Sequence, residues 1–178
     1  IETLKGSGPP DFVEHCLVVA GYLLAMGEQA PDSKAGYKLA ENALELGKGL
    51  DLLRKMIQSQ GGDVRYVDEP ERLPGAQLVE DVKAPRSGWL KEVHARLVGE
   101  SAVLLGGGRE KKDDKIDYGV GILVHKKVGD KVEAGDVLFT IYANDADKSA
   151  FAYSRLLEAV HWSDEAVDPL PLFYGLID

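Results

Sequence analysis

The first 62 residues carry apolar side chains at helical spacing. Residues 12–26 are apolar on nearly every face, with Asp11 suited to begin a helix and Gly27 to end it. A second helix is predicted to begin at Pro31 to Ser33 and to end at Gly47, and a third covers residues 50–60. Because a helix that is apolar all round is buried in a larger structure, we expect these helices to pack on a sheet that this chain does not supply.

Residues 63–75 have a different pattern, which is charged and interrupted by Pro70 and Pro74. A short strand is predicted at residues 64–67, inside a segment that otherwise has the composition of a linker. The chain is therefore predicted to consist of a helical segment at 1–62, a linker at 63–75 and an α+β domain at 76–178.

Residues 78–84 alternate between apolar and polar positions, as expected of a strand, and Val, Ile and Leu mark the later predicted strands. Short turns, two of them Gly-Asp pairs at 129–130 and 135–136, separate the strands. A short helix is predicted at 94–105 and a last helix from residue 145, with Asp147 or Ser149 as its N-cap. The tail is expected to run extended across the surface of the core. The predicted strands cover residues 78–84, the stretch that follows the turn at 85–88 and ends at 93, residues 119–125, a short strand between the two Gly-Asp turns, and residues 138–142.

Composition and charge exclude several classes of protein. The chain has 178 residues and a formal net charge of −9, which argues against a protein that binds phosphate backbones by charge alone. The single cysteine, Cys16, excludes a disulfide framework and favours a reducing compartment. The longest apolar run, 16–26, is shorter than the ~20 residues of a membrane-spanning helix. Because the chain begins with Ile1 rather than Met, we expect a fragment or a processed product.

The candidate site is a Gly-rich, charged loop. Gly106, Gly107 and Gly108 precede Arg109 and Lys111, and such glycines can form a nest of N–H groups that binds an anion. Three interpretations are open: a mobile surface loop, a loop that closes over a bound substrate, or direct contact with phosphate. The four histidines lack a partner at fixed spacing, which favours packing or surface roles for them: His15, His94, His125 and His161.

One pair of motifs resembles a carrier domain. A-P-R-S-G-W-L-K-E-V at 84–93 and V-G-D-K-V-E-A-G-D-V-L-F-T-I at 128–141 are similar to the two halves of the barrel-sandwich fold of biotinyl and lipoyl domains. Lys148 then corresponds to the modified lysine, although no methionine flanks it and a helix is predicted to follow it. A carrier or interaction module is the alternative hypothesis for this chain.

A second resemblance covers the whole chain. Five segments, in order and at similar spacing, resemble the pyrimidine-nucleoside phosphorylase and thymidine phosphorylase family. They are I-E-T-L-K-G-S-G-P-P-D at 1–11, Q-G-G-D at 60–63, A-P-R-S-G-W at 84–89, L-G-G-G-R at 105–109 and G-I-L-V-H-K-K-V-G-D at 121–130.

This resemblance implies both a fold and an activity. The fold is α+β, a fragment of an α/β enzyme, with three helices of the α/β domain followed by a barrel-sandwich-like, α/β-hammerhead C-terminal domain. The full-length protein is expected to be a cytoplasmic, homodimeric pentosyltransferase. It would cleave uridine or thymidine with inorganic phosphate, giving the free base and a pentose 1-phosphate.

The same resemblance implies which residues are absent from this chain. The phosphate- and pyrimidine-binding residues, and most of a potassium site, are expected upstream of Ile1, so no catalytic residue, metal ligand or organic cofactor is assigned here. Residues 106–109 and Lys111 would correspond to a loop that closes the cleft. Neither nucleic acid nor membrane is expected as a partner, and the fragment alone is expected to be inactive.

Overall fold

A computed structural model describes residues 1–109 and 111–177. The chain divides into two compact units. The helical unit consists of residues 1–73 together with the tail from Leu172 onward, and the C-terminal unit consists of residues 74–171. The α+β class is confirmed, since the described residues form six helices and two small antiparallel sheets.

The helical unit contains four α-helices and little buried core. Two of its helices cross closely at Gly21 and Gly36, where a Cβ on Gly36 would lie 2.3 Å from the carbonyl oxygen of Gly21. Its buried apolar side chains, among the described residues, are Leu17, Ala30 and Val67. The helices are α1 (Pro10–Met26), α2 (Ser33–Glu45), α3 (Lys48–Ser59) and α4 (Arg65–Asp68).

Two local predictions in this unit are wrong. Helix α1 begins at Pro10 rather than after an Asp11 cap, because proline fits the first helical turn, where its missing N–H is not needed. The predicted strand at 64–67 is the short helix α4. An oxygen of Asp63 accepts the backbone N–H of Arg65 at 3.0 Å, which favours a helical turn over an extended chain.

The described residues of the C-terminal unit form six strands in two antiparallel sheets with the order β1-β5-β3 and β4-β2-β6. No closed barrel forms among residues 74–109 and 111–171. The strands are β1 (Leu78–Lys83), β2 (Gly88–Val93), β3 (Gly121–Val124), β4 (Lys131–Val132), β5 (Val137–Ala143) and β6 (Val160–Ser163), and the helices are α5 (Ala95–Ala102) and α6 (Ala146–Glu158).

The core of this unit lies between α6 and the strands. Strand β5 is central in its sheet and supplies Leu138, Phe139 and Ile141, all almost fully buried. Leu156 of α6 and Leu90 of β2 belong to the same cluster. Burying side chains of this size is the main source of stability in a small domain, so β5 and α6 form the base on which the surrounding loops are held.

Three further differences from the predictions concern the end of this unit. Helix α6 is capped by Asp145, whose carboxylate accepts the N–H groups of Asp147 and Lys148 at 3.0 Å, and not by Asp147 or Ser149. Strand β6 follows α6 and was not predicted. Residues 164–177 of the tail contain no helix or strand, and the part from Leu172 groups with the helical unit, where the ring centroids of Phe173 and His15 are 5.1 Å apart in a stacked arrangement.

Among the helices of the described residues, none combines the length and apolar character needed to cross a bilayer.

Candidate functional site

The Gly-rich loop begins where α5 widens into a single π turn, Val103–Gly107. Gly106 there has φ +109°, a conformation that side chains with a Cβ rarely adopt. Its carbonyl oxygen accepts the backbone N–H of Asp117 at 2.9 Å. The two ends of segment 106–117 therefore meet, and we call this segment the closure loop after its predicted role. Single π turns within helices are frequent at functional sites.

The next two glycines lie in tight surroundings. A Cβ on Gly107 would lie 3.1 Å from the carbonyl oxygen of Ala102, and one on Gly108 would lie 2.7 Å from a methyl group of Val103. The chain thus turns back closely over the end of α5. A larger residue at Gly108 would push the start of the loop outward.

The charged part of the loop is exposed and balanced. Arg109 and Lys111 are exposed, and Glu110 lies outside the described residues. Segment 106–117 contains four basic and four acidic residues, so its formal charge is zero. The N–H of Lys111 already donates to Oδ2 of Asp114 at 2.8 Å. With a formal charge of zero and a backbone N–H already bonded to a carboxylate, the loop by itself does not have the excess of positive charge and free N–H groups that an anion-binding site needs.

The last residue of the loop, Asp117, has a carboxylate that accepts two hydrogen bonds. A hydrogen bond from the Asn144 side chain and a second one from the N–H of Gly119 lower the pKa of Asp117 below its ordinary value of 3.8. Hydrogen bonds to the charged form of a carboxyl group favour that form. Asp117 is therefore an anion over the whole neutral range.

Two histidines have partners that sequence spacing did not reveal. His161 on β6 lies opposite Glu92 on β2, with 2.8 Å between Nδ1 and Oε2. Nε2 of His125 lies 2.8 Å from Oγ1 of Thr140, whose hydroxyl donates to Asp81 at 2.7 Å. Each contact reaches across a strand pairing, in the case of His125 from the residue directly after β3, so only knowledge of the pairing identifies it.

The geometry of the hydrogen bonds that link His125, Thr140 and Asp81 indicates a structural role and not a catalytic one. Because the hydroxyl of Thr140 donates to Asp81, its proton points away from the imidazole, and Thr140 is 7% exposed. A nucleophile requires the opposite arrangement, with its proton directed at the base and its oxygen accessible. The network thus holds β1, β3 and β5 together.

Within 1–109 and 111–177, no three side chains of His, Cys, Asp or Glu lie close enough together to share a metal ion.

Comparison with known proteins finds a similarity in the C-terminal unit. Residues 89–163 match the family model described as the pyrimidine nucleoside phosphorylase C-terminal domain. The matched residues include the closure loop, Asp117 and Asn144.

Curated pyrimidine-nucleoside phosphorylases match the rest of the chain as well. That of Geobacillus stearothermophilus is 40% identical over 177 residues, which are 99% of this chain and 41% of that protein. That of Staphylococcus aureus strain RF122 is 37% identical over 169 residues, which are 95% of this chain and 39% of that protein. The chain thus spans about two fifths of the length of the phosphorylases it matches.

The carrier alternative is not favoured. Lys148 lies in the first turn of α6, where its N–H donates to the Asp145 cap, and not at the tip of a hairpin. A carrier domain presents its modified lysine between two strands, and here the strand β5 is followed by a helix.

Proposed function

We propose that this chain is the C-terminal part of an enzyme that cleaves a pyrimidine nucleoside with inorganic phosphate, releasing the free base and a pentose 1-phosphate. The observation that carries this proposal is the match over 99% of the chain to the Geobacillus stearothermophilus pyrimidine-nucleoside phosphorylase, at 40% identity. Phosphorolysis needs a held phosphate and a group that stabilises charge on the leaving base. We assign both to the part of the enzyme that this chain does not include.

Within that enzyme, residues 1–62 complete the α/β domain, residues 63–75 form the linker and residues 76–178 form the C-terminal domain. This division agrees with the scarcity of buried apolar side chains in the helical unit, which suits a segment packed on other parts of a domain. Inorganic phosphate is the co-substrate, and no organic cofactor is needed for the reaction. We also propose a cytoplasmic homodimer with a potassium ion bound mainly upstream.

The closure loop supplies the direct contribution of this chain. Gly106, Gly107 and Gly108 shape its start, and Arg109 and Lys111 present exposed positive charge. In the closed enzyme these side chains approach the anionic reactants and help exclude water. Loops of this kind set the rate when they open and close around a substrate.

A chimaera tests the proposed reaction. The segment of the Geobacillus stearothermophilus enzyme that matches this chain is replaced by residues 1–178, and release of uracil from uridine and of thymine from thymidine is measured with and without phosphate. We expect phosphate-dependent release by the chimaera and none by the 178-residue chain alone. A folded chimaera that is silent beside an active parent enzyme would contradict the proposal.

The same chimaera tests the loop. Replacing Arg109 or Lys111 with Ala removes one charged contact to an anionic reactant, so we expect kcat/KM to fall by about tenfold. Lys83→Ala is the matched control, since Lys83 is an exposed lysine on β1. If all three variants behave alike, the loop takes no part in binding or closure.

A further inference from the structure

Helix α1 has apolar side chains on two different faces. Val13, Leu17 and Ala20, which are three or four residues apart, line a cavity that α1 shares with α2 and α3. A second set of α1 residues lines a separate groove and consists of Val18, Val19, Tyr22 and Leu23. This second face needs a partner of its own, because apolar surface gains free energy only where it is removed from water.

The tail forms the rest of this groove. Phe173, Gly175 and Leu176 line it together with α1, and these tail residues group with the helical unit. The ring of Phe173 also stacks on the ring of His15 in α1, with 5° between the ring planes. Stacked rings attract each other beyond the effect of the area that they bury. The second face of α1 is therefore occupied by a later segment of the same chain.

The fit of the tail in the α1 groove is loose. A cavity of about 430 Å³ remains there, and Phe173 is still 40% exposed. Residues 172–177 belong to no helix or strand, so side-chain burial holds them rather than a ladder of backbone hydrogen bonds. Because the free energy of such a contact follows the apolar area that it buries, partial burial makes the contact weak and reversible.

We propose that the α1 groove is a docking site for a short apolar segment and that residues 172–177 of the same chain are its occupant, a detachable strap with Phe173 as the anchor. The strap completes the helical unit, whose other described residues bury few apolar side chains. It also explains why α1 is apolar on more faces than its neighbours in that unit require. The inference does not depend on the proposed reaction, since it concerns the packing of α1 alone.

Nuclear magnetic resonance on the 178-residue chain tests the contact directly. We expect nuclear Overhauser effects between the ring protons of Phe173 and those of His15, because the two rings are stacked. A mixture of isotope-labelled and unlabelled chains then shows whether both rings belong to one molecule. Effects seen only between labelled and unlabelled chains would assign the tail to a second copy and overturn the strap, as would their absence from every sample.

Substitution of Phe173 tests its role as the anchor. Phe173→Ala should release the tail, so we expect faster backbone motion at residues 174–176 in ¹⁵N relaxation. We also expect the midpoint of thermal unfolding, followed by circular dichroism at 222 nm, to fall by about 2–4 °C. Phe173→Leu keeps an apolar side chain without the stacked ring and should recover part of both losses.

Tyr174→Ala is the matched control for Phe173→Ala. The side chain of Tyr174 is the next aromatic residue in the tail and is 84% exposed, so its removal should leave tail motion and the midpoint unchanged. Fluorescence of Trp89 and Trp162 should be the same in all variants, since both lie in the C-terminal unit. Equal effects of the two alanine variants, or a released tail with an unchanged midpoint, would overturn the strap.

Discussion

The two units of this chain differ in how completely they bury their apolar side chains. Among its described residues, the C-terminal unit has a continuous core of twelve buried residues around β5 and α6. In the helical unit, Leu23 of α1 is 62% exposed and Met26 is 80% exposed. A cavity of about 560 Å³ lies among its helices and is lined mainly by apolar residues, including Phe12 and Cys16.

This difference shows that two helices of one chain can be packed against very different amounts of surrounding structure. Helix α6 is held by a sheet on one side and by α5, whereas α1 is held mainly by its close crossing with α2. Since the free energy of burial follows the apolar area removed from water, the C-terminal unit should be the more stable of the two. Both tryptophans, Trp89 and Trp162, lie in that unit, so their fluorescence reports on it alone.

The largest expected effect on the free energy of unfolding comes from a comparison of two leucine-to-alanine substitutions, one in each unit. Leu156→Ala removes a fully buried side chain from α6, and we expect it to lower the free energy of unfolding by about 2–5 kcal/mol. Leu23→Ala, on the exposed side of α1, should cost under about 1 kcal/mol. Urea unfolding followed by tryptophan fluorescence and by circular dichroism at 222 nm measures both. Equal losses would show that the two units are buried alike.

A smaller effect is expected where α1 and α2 cross. Gly36→Ala places a methyl group against the backbone of Gly21, so we expect a loss of about 1–3 kcal/mol, seen mainly in circular dichroism. Gly99→Ala is the control, because Gly99 lies in α5 with open space around it. This control should be stabilising by about 0.5–1 kcal/mol. A neutral Gly36→Ala would mean that the helices separate easily.

The smallest effect concerns pH and the helical unit. The Tyr37 hydroxyl donates to Glu14 at 2.7 Å, which raises the pKa of Tyr37 to about 12. A raised tyrosine pKa means that the contribution of this bond to stability is present below pH 10 and is lost as pH rises from 10 through about 12. Tyrosinate absorbance at 295 nm, with Tyr37→Phe subtracted, follows this titration, and Glu14→Gln should return it toward pH 10. An unchanged titration in that variant would exclude the bond.

Helices and strands with strong periodicity were predictable. Residues 12–26 and the predominantly apolar stretch at 138–142 are helix α1 and strand β5, within a few residues. The location of the closure loop also followed from its glycines, since three in a row rarely continue a helix. These features depend on residues close together in the sequence.

Features that depend on distant residues were missed. Strand β6 has only four residues and gains its structure by pairing with β2, and the contact between His161 and Glu92 follows from that pairing. Likewise, nothing local connects Asp117 with Asn144, which meet only because β5 ends beside the base of the loop. The caps of α1 and α6 were misplaced because several neighbouring residues suit each position.

The pairing of β2 with β6 also affects the order of events during synthesis. Trp89 is paired with Ser163, so one side of β2 has no partner until nearly all of the C-terminal unit has been made. Chains with such distant pairings close slowly, because a long loop must be ordered before the contact forms. A ribosome that stops before Val160 would therefore release a chain with an open sheet edge, which is a site for aggregation or for recognition by a chaperone.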